Sequence, residues 1–163
     1  MILPKYRNAQ GFTLIELLVV IGILAILLAI VLVAINPARQ FSQANNTQRK
    51  SDVNAILNAI HQYAVDNNGN TSALGIDGTV RTITSTVGAT NVNLCEANEL
   101  VPTYIADLPL DPQDGTEDPA RSVCTDVGAT YNTGYTVVVS ATDNRVTVAA
   151  PGAELSEIIT VTR

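Results

Sequence analysis

From Phe12 to Ile35 the chain is apolar at every position except Thr13, Glu16 and Gly22. Wound as a helix, this run extends about 36 Å. That is enough to cross a hydrocarbon core of about 30 Å. A carboxylate inside such a run is expensive: at the centre of a membrane helix it costs about 2.5–3.5 kcal/mol, so Glu16 marks a function by default. The residues before the run, Met1 to Gln10, are a short polar leader with Lys5 and Arg7 and no acid. Positive flanks stay cytoplasmic, which orients everything after Ile35 outward. A secretory signal peptide is the plainer alternative. It fits poorly, because Leu32-Val33-Ala34 puts a large residue at the outer small-residue position and the run exceeds a signal core. A simple N-terminal anchor explains neither Glu16 nor the glycine before Phe12.

Polar basic leader, Gly11, Phe12, and then Glu16 within the apolar run together resemble the N-terminus of type IV prepilins and pseudopilins, the subunits of thin helical filaments built on bacterial membranes. The resemblance implies processing. A membrane prepilin peptidase would cut between Gly11 and Phe12 and N-methylate Phe12. It also implies an assembly role for Glu16, whose carboxylate would pair with the N-terminal amine of a neighbouring subunit. In a low dielectric each of those charges is costly alone and the close pair relieves both, so pairing sets register.

The whole chain has 163 residues and a net charge of −6. After the proposed cut 7 basic residues face 15 acidic ones, which argues against a phosphate-binding surface and so against a nucleic-acid partner. The charge is uneven. Arg39, Arg49 and Lys50 form a basic neck without acids, and from Asp52 onward 14 acids face four arginines. Attraction of acidic heads to basic necks between stacked subunits is one expectation; a solvated acidic surface is the other. Cys95 and Cys124, both beyond the apolar run, read as a disulfide in an oxidising exported compartment, with two buried thiols as the alternative.

Pro37 lacks a backbone donor and clashes with the carbonyl four residues back, so a kink is expected there in a helix continuing to about Asn67. Such a helix spans about 84 Å. Residues 38–52 are polar almost all round, which predicts exposure or cover by neighbouring subunits. Val53, Ile56, Leu57, Ile60, Tyr63 and Ala64 then define one apolar face. Gly69 suits the left-handed position after a helix. The remainder reads as strand and loop: a strand near Thr79–Thr84, a short helix at Cys95–Val101, and a hairpin of Tyr135–Ser140 with Arg145–Ala149. Ile158–Thr162 is a last strand. Tyr104 to Pro112 resembles the segment of pilins and pseudopilins that crosses beneath the sheet, its apolar members packing on the long helix.

The fold expected is therefore α+β: a long N-terminal helix, membrane-spanning in its first half and amphipathic in its second, packed on a small antiparallel sheet. Its parts are a leader (1–11), a membrane and filament-core helix (12–35), a helix continuation carrying the head (36–67) and an α+β head (68–163). No catalytic constellation is visible. His61 flanks the apolar helix face and reads as a boundary residue, and Tyr131 and Tyr135 read as core or sheet packing. Asp111, Asp114, Glu117 and Asp118 are weak calcium candidates, with a solvated acidic turn as the simpler reading. No cofactor is expected.

The function implied by the resemblance is a structural filament subunit, the substrate of an enzyme and not one itself. Its partners would be identical or related pilin subunits, the prepilin peptidase and the membrane platform of the assembly machinery. It would reside in the cytoplasmic membrane with its head exported, and later in a surface or periplasmic filament. A type II secretion or competence pseudopilin is the alternative within the family, and Leu108-Pro109-Leu110-Asp111-Pro112 leans that way. A membrane-anchored exported binding domain is the alternative outside it.

Overall fold

The computed structural model describes residues 11–95, 100–117, 124 and 130–163. The leader charges Lys5 and Arg7, residues 96–99 of the short helix expected at Cys95–Val101, and Asp118 lie outside the described residues. The chain divides into two compact units, Met1–Gln40 and Phe41–Arg163.

In the first unit, helix α1 (Leu14–Ile35) leaves every one of its residues exposed. A helix apolar on all sides needs a lipid or protein environment all round. It is the one described helix long and apolar enough to cross a membrane. Instead of a kink at Pro37, the helix breaks at Asn36, whose backbone is left-handed at φ 44°. Helix α2 (Pro37–Asp66) starts afresh with the proline at its first position, where the missing N–H costs nothing. Asn36 serves both ends. It closes α1 in a conformation that asparagine tolerates, and its carbonyl and Oδ1 accept from the Arg39 N–H. The single continuous helix expected from the sequence is therefore two helices.

In the second unit, α2 buries Val53, Ile56, Leu57, Ala59, Ile60 and Tyr63. The expected face is present, with Ala59 added and Ala64 only half-buried. The helix runs out in Asn67, Asn68 and Gly69; Gly69, at φ 84°, donates its N–H back to the carbonyl of Ala64. Six strands follow: β1 (Arg81–Thr84), β2 (Asn91–Val92), β3 (Thr116–Glu117), β4 (Tyr131–Val139), β5 (Val146–Ala150) and β6 (Ile159–Thr162). They form one sheet of order β2-β1-β4-β5-β6, with β3 also on β4. The sheet is mixed, not purely antiparallel, because the short β2 runs parallel to β1. The hairpin reading locates β4 and β5, although β4 begins four residues earlier, at Tyr131.

Strict alternation along β4 sends Tyr131, Thr133, Tyr135 and Val137 inward, and β5 matches it with Val146, Val148 and Ala150. These side chains and the apolar face of α2 share one core. Each large one buried there stabilises the fold by about 1.5–3 kcal/mol. The segment from Tyr104 packs as expected. Its ring meets Tyr63 edge-on at 5.7 Å, its hydroxyl donates to Asp66, and Leu108 is buried.

Cys95 is bonded to Cys124, which selects the disulfide over the free-thiol alternative. Closing a loop of about 30 residues this way stabilises a fold by roughly 3–4 kcal/mol in the chain-entropy account. Reduction should therefore lower the urea midpoint of unfolding by a matching amount. An unchanged midpoint in reduced protein would show that the closed loop retains its native restraint without the bond.

Candidate functional site

Two places gather side chains that do more than fill space. The first is the start of α1. Thr13 is its N-cap, with extended backbone at ψ 149°. Its hydroxyl accepts from the Glu16 N–H at 3.3 Å and donates to Glu16 Oε2 at 2.7 Å. The same Oε2 accepts the Thr13 N–H at 2.9 Å. This is a capping box, which satisfies two N-terminal donors reciprocally. The sequence carries it openly as Thr13-x-x-Glu16, inside the apolar run that makes Glu16 costly. No basic side chain of the described residues reaches Glu16. Oε1 has no hydrogen-bond partner among them, so one face of the carboxylate stays open. Gly11 and Phe12 precede the cap as exposed residues.

The second is a buried ion-pair hub in the second unit. Arg49 and Asp111 are both inaccessible. Arg49 Nε donates to Asp111 Oδ2 at 2.6 Å and Nη2 to Oδ1 at 2.9 Å, a bidentate fork. Nη1 reaches Glu154 Oε2 at 3.0 Å and Asn46 Oδ1 at 3.1 Å. Asp111 Oδ1 also accepts the N–H groups of Gln113 and Asp114. Gly134, at φ 79°, lets β4 approach: a Cβ there would lie 2.7 Å from the Asp111 Cβ. Beside the hub Asp52 accepts the Tyr135 hydroxyl at 2.8 Å.

Around Arg49 the β5–β6 connection is strapped to α2. Glu154 accepts from Ser42 and Asn45, its backbone exchanges two hydrogen bonds with the Asn46 side-chain amide, and Glu157 pairs with Lys50. Most of the polar stretch 38–52 is exposed, as its composition predicts, but three of its residues, Asn46, Arg49 and Asp52, are buried by the chain itself. The basic neck is likewise mostly used internally. The signal was present in the sequence. Carried back from Val53 and Ile56, the helical period reaches Arg49 and Asn46, and only their polarity disguised them as surface.

This geometry also reassigns the calcium candidates. Both Asp111 oxygens are taken by a guanidinium, which leaves them unsuited to a second cation. Asp114 lies over Gly152, and Glu117 is exposed in β3. Among the described residues no three His, Cys, Asp or Glu side chains gather as a metal set. His61 is half-buried, as its position implied, with Nε2 enclosed and unbonded. Tyr131 and Tyr135 are core residues.

Residues 6–32 match the pattern of the prokaryotic N-terminal methylation motif. The chain is 38% identical over 93 residues to the type IV wide pilus major component PilA4 of Thermus thermophilus, covering 53% of this chain and 70% of the relative. It is 35% identical over 107 residues to the type II secretion system core protein G of Pseudomonas aeruginosa, covering 65% of this chain and 69% of the relative. No solved structure matches the chain.

The hub yields two tests. Arg49→Met leaves Asp111 buried and unpaired and should destabilise the head by about 3–5 kcal/mol. Adding Asp111→Leu should restore much of that loss in urea unfolding; a double variant as weak as the single would show that the hydrogen bonds of Asp111 to its own turn carry the stability. The acid response is signed. Burial works to raise Asp111, but the bonds from Arg49 and from the Asp114 and Gln113 N–H groups hold it below the usual carboxylate range. Bonds from Asn45 and Ser42 lower Glu154. Their stabilisation is complete above the ordinary carboxylate values of about 4 and is lost as pH falls through the lower folded ones. Burial raises Asp52, so its contribution runs the other way and is lost as pH rises. Asp52→Asn should therefore increase stability at neutral pH and flatten the pH profile just above the usual carboxylate range; a loss of stability at neutral pH would show that the ionised bond to Tyr135 outweighs the burial.

Proposed function

This chain belongs to the family of type IV pilins and type II secretion pseudopilins, and from that premise we propose that it is a structural subunit of a pilus-like filament assembled from the cytoplasmic membrane. The observation that carries the reading is the start of α1, a methylation-motif helix exposed along its whole length with a single carboxylate held at its first turn. Such a helix serves first as a membrane anchor and then as one strand of a bundled filament core. The role is mechanical. Chemistry is done to the chain: cleavage between Gly11 and Phe12 by prepilin peptidase, followed by methylation of Phe12.

Glu16 supplies register. The capping box fixes the carboxylate at the helix end where the macrodipole favours negative charge. Oε1 remains open for the methylated amine of a neighbour. A subunit sliding along the filament base satisfies both charges only at one height. Its partners in this reading are other pilin subunits, the peptidase and the membrane platform. The turn after Leu108-Pro109-Leu110, built around Asp111-Pro112, together with the likeness to a secretion core protein, supports the pseudopilin form as the second reading.

Intact-mass measurement of purified filaments or membranes should give a chain beginning at N-methyl-Phe12; a terminus at Ala34 or beyond would restore the signal-peptide reading. Glu16→Ala and Glu16→Gln separate the two jobs of that residue. Glutamine can keep the cap, whereas alanine gives it up at a cost of about 1 kcal/mol. Both variants should still insert and be cut, and both should enter sheared filaments at least tenfold less than wild type. If Glu16→Gln assembles normally, the carboxylate acts as a cap alone.

A further inference from the structure

Beside its buried face, α2 carries a second stripe of side chains. Asn58, His61, Val65 and Asp66 follow one another at helical spacing and line a surface cavity of about 470 Å³. Tyr104 and Arg163 line it as well. Cavities of about 300–1,000 Å³ are of a size to take small molecules.

Two groups at this cavity lack the partner their chemistry calls for. Nε2 of His61 is enclosed and makes no hydrogen bond. A ring nitrogen shut away from water and left unbonded is a cost, and each such group in a folded chain needs an explanation. The second group is Arg163. Its backbone exchanges two hydrogen bonds with Val146, at 3.0 and 2.8 Å, and its Nη1 donates to Asn58 Oδ1 at 2.9 Å. The guanidinium is held in place, yet no carboxylate of the described residues pairs with it. Every other described basic side chain of the second unit has one: Arg49 with Asp111 and Glu154, Lys50 with Glu157, Arg81 with Asp77, and Arg145 with Asp143.

Donors without acceptors call for an anion. The guanidinium fork matches the two oxygens of a carboxylate, and an Nε2–H adds a further donor. Exposed Val65 and the ring of Tyr104 offer apolar surface for the rest of a ligand. Asp66 sets its charge. This carboxylate accepts the Tyr104 hydroxyl at 2.8 Å and stands at the same cavity, so it repels a ligand with two negative charges. A single carboxylate is what Arg163 balances. His61 also borders a second depression, of about 550 Å³, beside Ser72 and Asn144. That lining holds no arginine or lysine, which assigns the anion to the side of Arg163.

We propose that the cavity lined by α2, Tyr104 and Arg163 binds a small monocarboxylate with an apolar body. Its carboxylate rests on the Arg163 guanidinium and His61 Nε2, and its hydrocarbon part on Val65 and Tyr104. The site belongs to the second unit alone and does not depend on the filament reading.

His61 is the single histidine of the chain, so its ring signals are unambiguous. The test titrates full-length protein in detergent micelles with isocaproate, at fixed pH and ionic strength, and follows the His61 ring by proton–nitrogen correlation NMR. The ring nitrogen signals should shift and saturate. Isocaproamide, which has the same shape without the charge, and succinate, which carries a second one, should each bind at least tenfold more weakly. Arg163→Gln should weaken isocaproate binding at least tenfold, and Asp66→Asn should tighten it at least twofold. Opposite effects from two surface changes have no explanation in general loss of structure. Signals that do not move mean that water alone fills the cavity, and they overturn the site. Equal affinity for the amide means a merely apolar patch, and an unaffected Arg163→Gln variant means that the anion binds elsewhere. Either result overturns the proposal, as does a shift that never saturates.

Discussion

The bidentate bond between Arg49 and Asp111 organises the head. It joins residues 62 apart in sequence, one on α2 and one in the turn that leads to β3, and both are wholly buried. Burying two ions is costly, and the cost is met only when every donor and acceptor is satisfied. That requirement spreads outward from the pair. It fixes the Asp111–Asp114 turn through its N–H groups, demands glycine at position 134, and recruits Glu154 and thereby the β5–β6 connection. An apolar contact of the same size would tolerate a sliding helix. A fork of two parallel hydrogen bonds does not, so the pair sets the height of α2 on the sheet.

What the sequence revealed followed from strong periodicity and strong cost. The length and apolarity of the 24-residue run make it a membrane-grade helix, and the face from Val53 to Tyr63 is legible because apolar side chains at helical spacing leave little choice. The strands were legible where valine and threonine cluster, at β4 and β5. Polar side chains were misjudged for a single reason. Arg49, Asn46 and Asp52 continue the buried face, but polarity alone places a residue at the surface unless its partner is known, and Asp111 and Glu154 lie 62 and 105 positions away. The kink expected at Pro37 is instead a full break at the residue before it, Asn36. Proline announces trouble in the turn before it, and whether a helix bends or restarts depends on whether the preceding residue can turn left-handed, which asparagine can.

The two halves of the chain obey opposite rules. In α1 no residue is buried and almost none is polar, so its stability as a single subunit comes from lipid, and in an assembly from other copies. The second unit carries its own core, a covalent bond and a satisfied ionic hub, and needs no neighbour to fold. The neck-to-head attraction that the charge distribution implied loses its basis here. Arg49 is buried, Lys50 is matched by Glu157, and Arg39 alone of the three is left outside these pairs.

The same economy appears at Glu16. A carboxylate in an apolar helix has to be satisfied in two environments, before and after assembly, and the groups available in each differ. The capping box answers the first with Thr13, using one carboxylate oxygen and the hydroxyl and N–H of that one residue. Because both of those bonds fall on Oε2, the second oxygen can accept an incoming amine without breaking either. A carboxylate whose two oxygens were both capped would have to give up a bond to bind its neighbour, and the net gain on assembly would shrink. In the register role proposed for Glu16, holding the group by one oxygen keeps it ordered in the isolated subunit and open to a neighbour's amine. That arrangement also explains why threonine, with both a hydroxyl and an N–H to offer to a single oxygen, suits the position three residues before the glutamate.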